Sequence, residues 1–472
     1  MRNFPKFIFS LNFLYVLLIA AETVAIILLC LYLPAFMSVA AAFLGVWLIT
    51  LIAIILIVCR DGPHEYKCSL ALFIIALPVA GAIIYFIAHA GKRERGTLTV
   101  ENASPEGGLE RAAYEYCGIC GADYDKAVYL SEGEKFFDLL FKEIEKAKKS
   151  VYLEFFIFSK GEILNRLISA LRTAKSGGAE IKIIIDGIGS AFRINRKEIK
   201  KLKSAGAEIK IFHKLNPFSY SRLNFRDHRK IAVIDGRIAF TGGFNLSDEY
   251  ANMGSPYGFW KDTGVAVYGE AALVFEGMFL SVWLGGYKMQ IKAGGKNRCL
   301  PYYDSPPNRS GFLENAYASA IFSAKERVHI FTPYFCATEK LQAALQFAAL
   351  RGVDVRIIIP HIPDKKYAFE LSKASALPLA AKGVKFYEFT PGFMHAKSMV
   401  CDNELFIGSY NFDYRSMRLN YECGINFTGD MCEAAERDFW NCLRLSAPMR
   451  EEKLSSLRRF KRFIVKLLAP LM

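Results

Sequence analysis

Two strings in this chain carry residue types and a spacing suited to work on a phosphate. They are His228-Arg-Lys230-Ile-Ala-Val-Ile-Asp235 and His395-Ala-Lys397-Ser-Met-Val-Cys-Asp402, both of the form H-x-K-x-x-x-x-D. The chain has 7 histidines in 472 residues, and two of them open this one pattern. Each string is followed by a turn with Gly and Asn, Thr241-Gly-Gly-Phe-Asn245 and Ile407-Gly-Ser-Tyr-Asn411. Imidazole attacks phosphorus or passes a proton near neutral pH. One His cannot easily be both nucleophile and leaving-group acid on a single phosphodiester, whereas two can divide the work. The ammonium groups of Lys230 and Lys397 offset charge on non-bridging oxygens, and the amides of Asn245 and Asn411 donate hydrogen bonds to a bound phosphate. A single copy would read equally well as a chance strand with one buried His and one solvated Lys. Two copies with matching turns argue for one site assembled from two related halves.

The elements around the motifs must aim them at each other. In an extended segment residues i and i+2 share a face, so His228 and Lys230 point together, as do His395 and Lys397. The mostly apolar residues after each Lys predict a core strand. Asp235 and Asp402 complete the catalytic motifs near the strand ends, where hydrogen bonds to nearby turn or side-chain groups are expected of them, not substrate contact. An internal repeat surrounds the motifs. Val151–Phe158 pairs with Val328–Phe335, Gly178–Asp186 with Gly352–Pro360, and Gly206–Phe212 with Gly383–Phe389. Each strand-like run follows a helical stretch, for example 135–147 and 339–350, so the halves read as α/β units. The period is far too long for a solenoid.

The duplicated motif with its Gly/Asn turns resembles the phospholipase D superfamily. Asn224-Phe-Arg226-Asp-His228-Arg-Lys230, Phe240-Thr-Gly-Gly-Phe-Asn245 and Gly258-Phe-Trp260-Lys-Asp262-Thr263 are similar to the first half of bacterial cardiolipin synthases. So are Leu153-Glu154-Phe-Phe-Ile-Phe158 and Asp186-Gly-Ile-Gly-Ser190. Thr332-Pro-Tyr-Phe335, Pro391-Gly-Phe-Met-His395-Ala-Lys397 and Asn411-Phe-Asp413-Tyr-Arg415-Ser416-Met-Arg-Leu-Asn420-Tyr-Glu422 are similar to the second half. The resemblance covers nearly the whole chain and departs at Gly264, where such proteins often carry His after Asp-Thr. It implies N-terminal transmembrane helices followed by two similar phospholipase D-like α/β domains that share one active-site cleft. It also implies cardiolipin synthesis without a cofactor: one phosphatidylglycerol gives its phosphatidyl group to a His, a second accepts it, and glycerol leaves. The alternatives are a membrane-bound phospholipase D, a nuclease of the same superfamily, or a catalytically silent membrane scaffold. The last is disfavoured because both motifs are intact.

Composition bounds these readings. Hydrophobic residues make up 53%, concentrated at the N-terminus, and the net charge is +14. That combination suits phosphatidylglycerol, other anionic phospholipids and a membrane as partners. Nucleic acid, the other obvious anion, is not expected, because hydrophobic spans are a strange accessory for a nuclease. Residues 1–95 form the expected membrane region, with two or three helices from about 11–33, 37–58 and 69–88. Glu22 lies inside the first. Several long spans and the lack of a short apolar core with a cleavage site argue against a signal peptide. Arg2 and Lys6 favour a cytoplasmic N-terminus, and Lys92, Arg93 and Arg95 a cytoplasmic catalytic region, a pair that three spans cannot satisfy. Cysteine usage tips the reading to a multi-pass protein of the cell membrane with cytoplasmic catalytic domains. Residues 96–121 read as a polar linker, 122–300 as the first phospholipase D-like domain, and 301–472 as the second. The last ends in a basic amphipathic stretch, Leu454–Leu468, that suits either the membrane or its own domain.

The supporting candidates are Glu249 and Glu422, to orient the histidines, and Arg226, Arg415 and Ser416, to hold a phosphate or head group. Surface or strand-end solvation is the plain alternative for both acids. The residues do not decide which His attacks; family analogy assigns His228 as nucleophile and His395 as acid/base. The 11 cysteines are scattered, and Cys117-Gly-Ile-Cys120 is a lone pair read as two ordinary thiols. No His/Cys cluster has metal-ligand spacing, so no metal is expected.

Overall fold

The computed structural model describes residues 21–25, 28, 36–59, 64–89, 97–214, 225–254, 256–292, 295, 297–306, 311–450 and 462. A buried core strand begins at Lys230 in the first half and directly after Lys397 in the second. Lys230–Ile234 and Ser398–Cys401 are buried throughout. Lys230–Ile234 runs antiparallel between Ser150–Phe155 and Ile238–Gly242. Ser398–Cys401 runs antiparallel between Arg327–Phe331 and Glu404–Gly408. β-branched, fully apolar segments such as Ile231–Ile234 suit a position covered on both faces.

The repeat is a repeat of topology. In the first half, Ser150–Phe155, Glu180–Asp186 and Ala207–Phe212 pair in parallel. In the second, Arg327–Phe331, Asp354–Pro360 and Lys385–Phe389 do the same. The helices Glu162–Ser176 and Glu339–Leu350 supply equivalent crossovers. The result is a seven-stranded sheet and a nine-stranded sheet, both mixed. One apolar core joins them: Ile231, Val233 and Val265 of the first half share it with Met399, Leu405 and Ile425 of the second.

The stretch read as a polar linker is part of that core. Residues 98–100 form a strand and Gly107–Cys117 a helix, with Leu98, Val100, Ala113, Cys117, Ile119 and Cys120 buried in it. Its buried side chains recur too irregularly for a periodicity reading, and Gly107 and Gly108 open the helix that Gly118 caps. Ala122–Asp123 then pairs with Arg298–Asp304, so it joins the sheet of the second half.

Residues 21–89 form a separate unit. Phe36–Val58 is a helix whose segment Ala41–Val58 has mean hydropathy 2.9, and among the described residues it alone is long and apolar enough to cross a membrane. The expected span 69–88 is not one helix. It divides into His64–Ala76 and Pro78–His89, because Pro78 lacks an N–H and its ring clashes with the preceding turn. Most of the span expected at 11–33 lies outside the described residues, as do Arg2, Lys6, Lys92, Arg93, Arg95 and Asn224. Glu22 is described: its carboxylate accepts from the N–H groups of Val79 and Ala80 at 3.0 and 3.1 Å, where the helix Pro78–His89 begins and its donors lack partners. The basic C-terminal stretch is outside the described residues except Arg462, which pairs with Glu370 at 2.6 Å.

Asp235 and Asp402 each accept hydrogen bonds from successive backbone N–H groups. The Asp235 carboxylate accepts from the N–H groups of Lys148, Lys149 and Ser150 at 2.7–3.1 Å. Asp402 does the same for Lys325, Glu326 and Arg327 at 2.8–3.0 Å. Both sit in the left-handed region, at φ 56° and 49°, which Asp tolerates better than most residues. Each ties the start of its half's first parallel strand to the turn after the motif strand. Asp235→Ala and Asp402→Ala will therefore each destabilise the fold by about 2 kcal/mol, while turnover per folded molecule stays within roughly threefold. Thermal unfolding in detergent, with activity normalised to folded protein, checks this.

Candidate active site

Backbone pairing between the halves brings the motifs together. The His395 N–H donates to the Lys261 carbonyl at 2.7 Å, extending the parallel pairing of Gly392–Met394 with Phe259–Lys261. The His228 N–H donates to the Tyr421 carbonyl at 2.9 Å, and the Tyr421 N–H to Arg226 at 2.8 Å. Each motif histidine is thus stitched to a segment of the opposite half, and that segment supplies its carboxylate. Nδ1 of His228 lies 3.0 Å from both oxygens of Glu422. Nδ1 of His395 lies 2.6 Å from Oδ2 of Asp262.

The lysines sit beside their histidines. Lys230 Nζ donates to the His228 carbonyl at 2.6 Å. Lys397 Nζ lies 2.8 and 3.2 Å from the two ring nitrogens of His395 and also donates to its carbonyl. Aromatic rings wall the site. Phe156 meets His228 at 5.2 Å, and Tyr250, Trp260 and Phe393 meet His395 at 5.1, 5.0 and 5.8 Å between centroids.

Burial sets the protonation of this cluster, and unequally in the two halves. It pushes His228 down to about 4, against the pull of Glu422. Burial works against the Glu422 charge, but His228, Lys230 and a hydrogen bond from Ser409 bring its carboxyl down to about 2. Near neutral pH, then, Glu422 is an acceptor only, His228 is neutral with its proton on Nδ1, and Nε2 keeps its lone pair. In the other half burial raises Asp262 to about 7 and lowers Lys397 to about 7, so each changes charge near neutrality. Burial, followed by the charges of Lys397, Lys230 and His228, holds His395 well below 6.5. That His228 acts on His395 places both imidazoles in one electrostatic site. Lys230 is lowered to about 8, also by burial. The arrangement offers one ready nucleophilic nitrogen and one proton-exchanging cluster.

Not every expected residue stands here. Glu422 does. Glu249 does not: it pairs with Arg193 at 2.6 Å and accepts from Ser247. Asp262 takes the place expected of it. The repeat carried a signal for this. Gly264 pairs with Gly242 as Gly424 pairs with Gly408, so Asp262 and Glu422 occupy equivalent positions two residues before those glycines. Arg226 is locked onto Asp186 by a buried pair at 2.6 Å, which braces the segment before His228. Asn245 accepts from the Ile157 N–H at 3.1 Å and donates to Tyr250 Oη at 2.6 Å. Asn411 donates from Nδ2 to Asp413 at 3.1 Å, while its own N–H donates to Ser416 Oγ at 3.0 Å. Ser416 is buried by that turn, and Arg415 sits half-buried in the short helix Tyr414–Arg418. Cys117 and Cys120 are buried free thiols, raised by burial, and Cys117 Sγ donates to the Tyr303 carbonyl at 3.0 Å. Among the described residues no three His, Cys, Asp or Glu side chains stand together as a metal cage.

A family described as "Cardiolipin synthase, PLD-like domain" matches residues 140–255 and 317–443, segments that contain both motifs. The chain belongs to the cardiolipin synthase family. It is an enzyme of the phospholipase D superfamily. A cardiolipin synthase of Clostridium perfringens (strain ATCC 13124) is 33% identical over 362 residues, 72% of this chain and 76% of that one. An uncharacterized protein of Streptococcus mutans serotype c is 37% identical over 366 residues, 74% of this chain and 78% of that one. The crystal structure of a phosphatidylserine synthase from Haemophilus influenzae Rd KW20 shares the fold at TM-score 0.58 and 15% identity, over 77% of this chain and 97% of that one.

For this family member the crossed carboxylates predict a sharp contrast. Glu422→Gln and Asp262→Asn will each lower kcat by roughly 10²- to 10⁴-fold, as when a buried carboxylate that orients a catalytic imidazole is neutralised. Glu249→Ala will change kcat by less than about threefold, because it touches neither imidazole. Steady-state assays of the three variants check this.

Proposed function

We propose that the enzyme makes cardiolipin by moving a phosphatidyl group from one phosphatidylglycerol to another, with release of glycerol. Nε2 of His228 attacks phosphorus, and the bond from phosphorus to the glycerol oxygen breaks. The departing oxygen takes a proton from His395. A head-group hydroxyl of the second phosphatidylglycerol then gives its proton to His395 and attacks phosphorus. The nitrogen–phosphorus bond breaks and His228 is regenerated. Glu422 holds the Nδ1 proton throughout, and Lys230 and Lys397 offset charge on the non-bridging oxygens.

The observation that carries this reading is the unequal pair of carboxylates. Glu422, brought to about 2, orients His228 for attack through Nδ1, while burial keeps the imidazole neutral. Asp262 and Lys397, both brought to about 7, suit a group that must gain and lose a proton in one cycle. A bound phosphodiester adds negative charge beside His395 and offsets the cations that depress it, so substrate itself promotes the acid form. The aromatic wall around His395 favours a lipid hydroxyl over water as acceptor. Family membership and an apolar helix long enough to cross a membrane agree with a substrate held in the bilayer.

Phosphatidylglycerol vesicles will yield cardiolipin and glycerol; phosphatidic acid as the main product at every lipid composition would make the enzyme a phospholipase D, and cleavage of single-stranded DNA with lipid untouched a nuclease. Mass analysis of products separates the three. His228→Ala and His395→Ala will each remove nearly all turnover, and the double variant will be little worse than either, because groups acting as one unit are not additive.

The pH profile follows from the same groups. The nucleophile must be unprotonated, so kcat/KM rises with pH through about 4, where His228 loses its proton. The acid and the lysines must be protonated, so it falls as His395, held low by burial until the anionic substrate binds, loses its proton, and falls further as pH passes about 7 to 8, where Lys397 and Lys230 lose theirs. Bound phosphate stabilises the lysine charges, so the alkaline limb of kcat will lie at higher pH than that of kcat/KM. Measuring both profiles checks the order.

A further inference from the structure

Both halves carry the same kind of surface at the mouth of the site. After the strand Glu180–Asp186 the chain turns through 187–191 to Phe192, which is 77% exposed, more than any other large apolar side chain among the described residues. The helix Arg196–Ser204 follows, with Arg196, Lys197, Lys200 and Lys203 exposed and Leu202 buried beneath them. Its acid, Glu198, is engaged in the capping box with Asn195. In the second half, after the strand Asp354–Pro360, the chain turns through 361–364 to Lys365, Lys366 and Tyr367, all exposed, with Tyr367 at 52%.

The segment that leads into each surface reaches a ring beside its own half's histidine. A Cβ on Gly189 would fall 2.3 Å from the Phe156 carbonyl oxygen, and the Phe156 ring meets His228 at 5.2 Å. Lys365 Nζ lies 5.7 Å from the centre of the Tyr334 ring. Tyr334 meets Phe393 at 6.3 Å, and Phe393 meets His395 at 5.8 Å. The Lys365 charge also reaches His395.

An exposed ring beside exposed ammonium groups matches a bilayer boundary: the ring enters the head-group layer while the cations meet lipid phosphates. We propose that Phe192 with the helix Arg196–Ser204, and Tyr367 with Lys365 and Lys366, form a two-sided docking surface that seats the mouth of the site on an anionic phospholipid bilayer. The charge complementarity is local, since cations outnumber acids on both sides of the mouth. Seating both lobes at once places lipid head groups before both imidazoles, which a two-lipid reaction requires. The inference rests on the lipid reading of the site, and its first measurement needs no turnover.

The test uses the full chain in nanodiscs. Phe192→Trp adds one emitter to the 4 native tryptophans. Brominated-chain phosphatidylglycerol will quench most of the added emission, and brominated phosphatidylcholine far less. Lys197→Glu with Lys200→Glu will abolish the difference between the two lipids. Emission unquenched by either lipid, quenched equally by both, or altered by single-stranded DNA and not by lipid overturns the proposal. The second measurement is turnover of Phe192→Ala/Tyr367→Ala. The loss will be about tenfold greater for long-chain phosphatidylglycerol in mixed micelles than for monomeric short-chain phosphatidylglycerol, as the burial of aromatic area implies. Equal losses on both substrates also overturn it. If the wild-type enzyme turns over neither lipid, the functional reading fails while the quenching still judges the docking surface.

Discussion

The structure depends on a crossed pairing: each half's imidazole is held by a carboxylate from the other half. His228 leans on Glu422 and His395 on Asp262, and the backbone bonds His228 to Tyr421 and His395 to Lys261 run the same way. Neither half alone holds an oriented histidine. This explains why the halves share one continuous apolar core, as a hinged pair of domains would let the carboxylates drift. A displacement of an ångström would break hydrogen bonds of 2.6 to 3.0 Å.

Holding so many ionisable groups out of water is expensive, and the surroundings are arranged to offset it. Lys261, whose carbonyl holds His395, is itself buried, and its ammonium is satisfied by Asp438 at 2.7 Å and the Ser131 carbonyl at 2.6 Å. Asp438 lies on the helix Asp430–Arg444 of the second half, so this ion pair also spans the halves. Arg226 and Asp186 brace the other motif in the same manner. Breaking a buried pair leaves one charge stranded, so these partners act on the site through position.

The two halves are alike in topology and unlike in electrostatics. Glu422 receives a hydrogen bond from Ser409 in addition to His228, whereas Asp262 shares its imidazole with Lys397. The duplicated scaffold has diverged enough for one carboxylate to be held ionised and the other to be raised to about 7. Symmetric placement with asymmetric charge is what the proposed two-step transfer would ask of its site.

Much of this was legible in the residues because duplication is local. The two H-x-K-x-x-x-x-D strings, their Gly/Asn turns and the paired strands Val151–Phe158 and Val328–Phe335 are short patterns whose period and residue type follow from backbone geometry. They carried the α/β architecture and the family resemblance. The sequence by itself could not say which acid serves which histidine, because Asp262 is 133 residues from His395 and Glu422 is 194 from His228. Only the packed fold decided that Glu249 turns to Arg193, that Arg226 closes on Asp186, and that residues 98–120 belong to the core. It also decided the protonation of the site. Composition states how many charges a chain carries, but a pKa depends on how completely neighbouring groups exclude water, and that is set by tertiary packing alone.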